Sequence, residues 1–199
     1  SGNSIYSSDR GVLFDKNQET LIIYPAGKSE STYDIPLAVT SIGTYAFVDC
    51  INITDITIPN SVTTINSGAF YQCTSLTDVV IPNSVTSINS YAFSGCSSIV
   101  NIILPESLNT IGTSAFSRCT DIESITLPDS ITSISPGLFY KCESLASVVF
   151  PVNLDSIGSY SFKKCSSLTN FSLPDSVTSI GYDAFNSCTN LTSITIPEN

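Results

Sequence analysis

Seven cysteines, seventeen acidic residues and nine tyrosines are the side chains of this 199-residue chain whose types can do chemistry. Thiols bridge, hold metals or attack carbonyls. Paired carboxylates serve as acid and base on a glycosidic bond, and aromatic rings hold sugars or protein partners. The chain has no histidine. Its absence removes Ser-His and Cys-His nucleophile pairs, histidine bases and most catalytic zinc sites.

Spacing narrows these options. Cys50, Cys73, Cys96, Cys119, Cys142, Cys165 and Cys188 stand at one constant interval along the chain. Stacked at one repeat position, they would lie at roughly the inter-strand spacing of about 4.8 Å. Neighbouring bridges are sterically allowed there, but an odd count leaves one thiol over and bridging would distort the stack. Zinc uses close clusters such as C-x-x-C, and the sequence has none. Buried free thiols packing as small hydrophobes are expected instead, with no metal and no cofactor.

The acids are scattered singly. Asp55 and Asp78 share a repeat position with Glu123 close by, a set that suggests either a weak calcium site or a solvated surface, with the surface favoured. An enzyme would have to rest on such a carboxylate pair, and a line of solvated side chains is not a pocket, so no enzyme is expected. The Gly residues fall at repeat positions rather than in a phosphate loop. Asn52, Asn170 and Asn190 head N-x-S/T triplets, which are frequent in a Ser-, Thr- and Asn-rich chain. Tyr45, Tyr91 and Tyr160 share one column, and Tyr71 and Tyr140 another. They are expected as partly exposed packing residues on the convex side, with partner or sugar binding as the alternative.

The elements that position these side chains come from a repeat. Phe47, Phe70, Phe93, Phe116, Phe139, Phe162 and Phe185 recur at the same interval as the cysteines. Each stands three positions before a cysteine and five after an isoleucine, Ile42 through Ile180. Eight of the ten prolines, Pro36 through Pro197, keep the same register. One unit reads roughly L-T-S-I-T-I-P-x-S-V-T-S-I-x-x-x-A-F-x-x-C-T-S. Its first part alternates as a half-buried strand that ends at Pro, and V-T-S-I predicts a second, shorter strand. The next column (Gly43, Asn66, Asn89, Gly112, Ser135, Gly158, Gly181) predicts a left-handed or otherwise unusual backbone. The one after it, Thr44 to Tyr182, predicts helix N-caps, with Pro136 at a first helical position. A-F-x-x-C then predicts a short helical turn, held by packing of Phe against neighbouring units.

The strand L-x-x-I-x-I/L-P and the turn I-x-x-x-A-F-x-x-C resemble the BspA-like, or Treponema-type, leucine-rich repeat family over about four fifths of the chain. Leu138 and Ser161 replace the Ala before Phe, and Phe150 and Phe171 replace aliphatic strand residues. The expected fold is a β-rich α/β leucine-rich-repeat solenoid of seven units over residues 38–199. Parallel strands would form one face and short helical turns the other. Residues 1–37 do not repeat; Gly11–Phe14 and Leu21–Tyr24 predict a β-hairpin cap for the first unit. Tyr24–Lys28, Y-P-A-G-K, also looks like the head of this family's arrays. The family resemblance implies secreted or surface-anchored bacterial proteins that adhere to host matrix or cell-surface proteins, or to other microbes.

Composition fits that setting. The net charge of −10 repels phosphates, so neither nucleic acid nor an anionic membrane is an expected partner. No apolar run reaches about 18 residues, so no membrane insertion is expected. Without methionine the chain reads as a processed or trimmed piece. Its last residues, Ile196-Pro-Glu-Asn, carry no evident cap, so the expectation is either that the natural chain continues there or that this edge makes end-to-end contact with a partner.

Outward strand positions offer the candidate site. One column reads Thr57, Val80, Ile103, Thr126, Val149, Ser172, Thr195, and a second reads Thr54, Thr77, Val100, Glu123, Ala146, Thr169, Thr192. Apolar residues gather in the middle, with Asp55, Asp78 and Asn101 beside them, the pattern of an interface core with a polar rim. The partner-binding residues expected are therefore Val80, Val100, Ile103, Val149, Asp55, Asp78, Asn101 and Glu123, and the partner a protein or glycan. β-branched residues also favour strands for local reasons alone. The alternative function is a structural spacer holding another domain away from the cell surface. An ice-binding Thr ladder is interrupted by Val80, Ile103 and Val149.

Overall fold

In the computed structural model, which describes residues 3–196, each repeat unit closes one coil containing two short strands and a run of tight turns. The chain opens with β1 (Tyr6–Asp9), β2 (Val12–Asp15) and β3 (Thr20–Ile23), an antiparallel meander. The β2–β3 pair is the hairpin expected from sequence; β1 is an addition. Strand β4 (Thr32–Asp34) follows. β3 and β4 then pair in parallel with the strands of the next coil, β5 (Ser41–Ile42) and β6 (Asp55–Thr57), so an eighth coil precedes the seven repeats.

The first repeat strands form one face. β4 and β6 join β8 (Asp78–Val80) and β10 (Asn101–Ile103) in a four-stranded parallel sheet. β12 (Ser124–Thr126) pairs with β14 (Ser147–Val149), and β16 (Phe171–Ser172) with β18 (Ile194–Thr195). The V-T-S-I strands form the second face. β5, β7 (Thr64–Ile65), β9 (Ser87–Ile88) and β11 (Thr110–Ile111) extend the cap sheet, and β13 (Ser133–Ile134), β15 (Ser156–Ile157) and β17 (Ser179–Ile180) form another. Every repeat-to-repeat register joins equivalent residues, as in Ile102 beside Val79 and Ile111 beside Ile88. Both faces break at the same junction, between β10 and β12 and between β11 and β13. There the Ser135 hydroxyl donates to the Ile111 carbonyl at 2.5 Å, the acceptor position that backbone amides such as Gly112 N–H fill elsewhere at 2.7 Å.

The third side contains no helix among the described residues, so the expected helical turns are corrected. Amides there alternate. Ala46 and Val48 N–H groups donate three residues back within their own coil, whereas Tyr45, Phe47 and Asp49 donate to Ser67, Ala69 and Tyr71 of the next coil. An α-helix would consume all these groups internally and leave none to join the coils. The alternation places a positive φ two residues before and two after every ladder Phe. Eleven of these fourteen positions are not glycine, with φ between 54° and 66°. Each costs on the order of 1 kcal/mol or more, offset by the cross-coil bonds.

Two further readings change with it. The Gly43–Gly181 column is not left-handed, since none of its residues has a positive φ. Its glycines serve close approach: a Cβ on Gly112 would sit 2.4 Å from the Ser90 backbone nitrogen. The Thr44–Tyr182 column caps no helix; its carbonyls accept the cross-coil amides, as in Ser114 N–H to Pro136 C=O at 3.0 Å. Proline fits because it loses only a donor. Pro36 through Pro174 each open a tight turn, accepting from the amide three residues on, as Pro82 does from Val85 at 3.0 Å. Pro197 and the rest of the Pro-Glu-Asn end lie outside the described residues.

The core is columnar. Phe47 through Phe162 are at most 1 % exposed, and successive rings stack with centroids 5.1 to 6.0 Å apart. Tyr24 carries the column into the first coil, 5.2 Å above Phe47, and Phe185 closes it, 5.3 Å beyond Phe162. Burial of one such ring contributes about 1.5–3 kcal/mol, and stacking about 0.5–1.5 kcal/mol more.

Candidate binding surface

The strand face takes its character from the pleat. Along β8, Val79 is 4 % exposed while its neighbour Val80 is 76 % exposed. Ile103, adjacent to Val80 across the β8–β10 register, is 79 % exposed. Two large β-branched side chains thus stand side by side in water, with Val100, the residue just before β10, also exposed. Asp55, Asp78 and Asn101 form the adjoining line, in register across β6, β8 and β10. All three are exposed, and Asp78 accepts a hydrogen bond from the Thr77 hydroxyl at 3.3 Å.

Seven of the eight site residues fall on the four-stranded sheet or at the junction beside it. Glu123 lies across that junction, just before β12, its amide donating to the Val100 carbonyl at 3.3 Å. Val149, 57 % exposed, belongs to the separate β12–β14 pair, next to Thr126, and is not brought together with Val80 and Ile103. Shallow hollows run along the face, one floored by Asp55, Asp78 and Val80 and one spanning the junction between Asn101, Ile103, Ser124 and Thr126. The face offers apolar contact, hydroxyls, amides and negative charge. Among the described residues, no group of three or more Cys, Asp or Glu comes together to hold a metal ion.

The cysteines point the other way. All seven are free and buried. The thiols of Cys73, Cys96, Cys119, Cys142, Cys165 and Cys188 each donate to the carbonyl of the Phe in the preceding coil, at 3.0 to 3.1 Å. Cys50 donates to the Tyr24 carbonyl at 3.6 Å. Burial pushes the Cys50 and Cys119 thiols up to about 12 and those of Cys96 and Cys142 well above their ordinary value. A neutral, enclosed thiol is neither a nucleophile nor a ready metal ligand. It is a hydrogen-bonded rivet between coils.

The tyrosine columns lie on the turn side: Tyr45, Tyr91 and Tyr160 are each exposed by roughly two fifths, while Tyr71 and Tyr140 are half-buried. Two features escaped the sequence reading. Ser61, Ser84, Ser107, Ser130 and Ser176 form a column whose hydroxyls donate to a carbonyl of the preceding coil; their fixed place after each Pro was the available signal. Val152 is 70 % exposed beside the hollow between Phe150 and Ser172. It is an apolar residue where other repeats carry Asn60, Asn83, Glu106, Asp129 and Asp175.

Comparison with known proteins agrees with this architecture. The model of the BspA type leucine rich repeat region matches six copies over residues 26–146 and 110–199. A leucine-rich repeat protein from Eubacterium ventriosum superimposes with a TM-score of 0.84 at 32 % identity, over 99 % of this chain and 52 % of that one. A leucine rich cell surface protein from Faecalibacterium prausnitzii gives 0.84 at 30 % identity, over 98 % and 55 %. The T. pallidum leucine rich repeat protein gives 0.82 at 29 % identity, over 94 % and 87 %. The chain therefore spans about half the length of the first two. No curated protein matches it. With its family model matched across nearly all of the repeats, the chain belongs to the BspA type leucine-rich repeat family.

Proposed function

We propose that this chain is a non-catalytic, protein-binding module of a secreted or cell-surface bacterial protein, and that it docks its partner on the β6–β8–β10 face. The observation that carries the reading is the pair Val80 and Ile103. Each is more than three quarters exposed, they are adjacent in register, and Asp55, Asp78, Asn101 and Glu123 rim them. A solvent-facing apolar pair within a polar frame gains most from being covered by a partner. Solenoids present such extended faces as their ordinary mode of recognition. The similarity to the cell surface protein of F. prausnitzii supports the extracellular setting, and host matrix or cell-surface proteins are the partner class proposed.

The test is surface plasmon resonance against immobilised host matrix proteins and mucin glycans. The unmodified chain runs beside a Val80→Lys/Ile103→Lys variant whose fold is checked by circular dichroism. Saturable binding to a matrix protein, weakened at least about tenfold in the folded variant, is the expected outcome. Equal binding by both chains moves the site off this face. Absence of binding to any surface favours the spacer reading, in which the array only holds another domain away from the cell.

A further inference from the structure

On the turn side, away from the strand face, one coil junction contains a hollow whose origin is clear from its counterpart three coils earlier. Tyr45, Gly68, Tyr71 and Tyr91 correspond there to Ser114, Gly137, Tyr140 and Tyr160. Three of the four positions are identical. Gly68 and Gly137 share the same backbone, with φ of 62° and 64°.

What differs at these four positions is the ring; beyond them Pro136 and Lys163 stand where the first site has Ser67 and Ser94. At the first site Tyr45 lies directly over Gly68. A Cβ there would come within 2.2 Å of the ring, and the ring meets Tyr71 edge-on at 6.0 Å. At the second site Ser114 stands in place of Tyr45, and only its hydroxyl approaches Gly137, 2.8 Å from a Cβ built there. Gly137 still leaves room for a ring, and Tyr140 still offers its wall. The vacated space is a hollow of about 380 Å³ lined by Ser114, Pro136, Gly137, Tyr140, Tyr160 and Lys163. Lys163 stands at the rim of this open hollow, with its ammonium 5.1 Å from the Tyr160 ring centre and 2.5 Å from the Asp183 carboxylate.

We infer that this hollow is a receptor socket for an aromatic side chain, tyrosine or phenylalanine, presented by a partner protein. The molecule itself supplies the argument for the occupant: the equivalent socket three coils earlier is filled by a phenol ring, in the edge-on geometry aromatic pairs prefer. Glycine at the base permits that approach at Gly68, and Gly137 leaves the same space open. Tyrosine is also among the residues enriched at the strongest contacts of protein interfaces. The socket is separate from Val80 and Ile103, so it stands or falls independently of the strand-face reading.

The experiment uses N-acetyl-L-tyrosinamide as probe and N-acetylglucosamine as comparator. Saturation-transfer NMR detects binding, and amide shift perturbation locates it. Ser114→Tyr supplies the missing ring in cis at a backbone conformation that Tyr45 already adopts, φ of 54° at both positions. Weak, millimolar binding of the tyrosine probe is expected in the unmodified chain and in Ser114→Ala. It should be lost in Ser114→Tyr and unchanged in Val80→Lys/Ile103→Lys. If Ser114→Tyr fails to fold, Tyr140→Ser provides the second removal, with loss again expected. No binding of the tyrosine probe to the unmodified chain overturns the inference, as does binding that persists with the socket filled. Sugar binding without tyrosine binding also overturns it, and assigns the hollow to a glycan instead.

Discussion

The phenylalanine column and the outward column of the strand face run side by side through the same coils, and they obey opposite rules. At the Phe position all seven repeats carry the same residue, because each ring is wall and floor for the next. A change in one coil is felt by two others. On the outward column the residues run Thr57, Val80, Ile103, Thr126, Val149, Ser172, Thr195, and no neighbour requires any particular one. The comparison teaches that repetition here is a demand of stacking, while information about partners resides where stacking makes no demand.

The comparison breaks most completely if the buried column can be charged. The thiols that join the neighbouring coils stay neutral up to about 12 at Cys50 and Cys119, whereas an unfolded thiol ionises near about 8.5. The native chain therefore keeps protons that the unfolded chain loses. Stability is full below about pH 8.5 and falls as pH rises towards 12. At pH 10 this amounts to about 2 kcal/mol for Cys119, and the raised thiols of Cys96 and Cys142 act in the same direction. Urea denaturation under reducing conditions should show a midpoint far lower at pH 10 than at pH 7; equal midpoints would mean the thiols do not carry the coils. The next largest effect is expected from Phe93→Ala. It removes a ring stacked at 5.1 Å on one side and 5.6 Å on the other and should cost about 3–5 kcal/mol. A loss below about 1 kcal/mol, read from the same denaturation curves, would show that the column can close over a gap.

How much of this was legible in the sequence follows the same division. Phe, Cys, Ile and Pro columns were readable because burial restricts residue type, and the period-2 alternation located both sets of strands. The turns were misread because A-F-x-x-C has local apolar spacing that fits a helical turn. Its backbone bonds instead run between coils, as from Phe47 to Ala69, and local spacing carries no record of a bond to the next coil. Nor do Tyr45, Arg118 or Lys164 announce their positive φ, since the strain is imposed by the stack rather than chosen by the residue. β1 was missed because Tyr6–Asp9 is too polar to alternate. Of the candidate site, the exposed positions could be assigned from the pleat, but the break that sets Val149 apart from Ile103 depends on coil-to-coil geometry.

The smallest expected effect sharpens the comparison most. Val80→Thr/Ile103→Thr keeps β-branching, and with it the strand preference, while replacing exposed apolar groups by the hydroxyls that Thr57 and Thr126 already present in the same column. Since Val80 and Ile103 are 76 % and 79 % exposed, little packing is lost, and thermal or urea stability should stay within about 0.5 kcal/mol of the unmodified chain. A larger drop would place these side chains in the structural class and remove the reason to regard their exposure as a cue for recognition. With stability unchanged, any weakening of partner binding belongs to the lost apolar contact alone, because the substitution introduces no charge and leaves the strand, its register and its rim of Asp55, Asp78 and Asn101 in place.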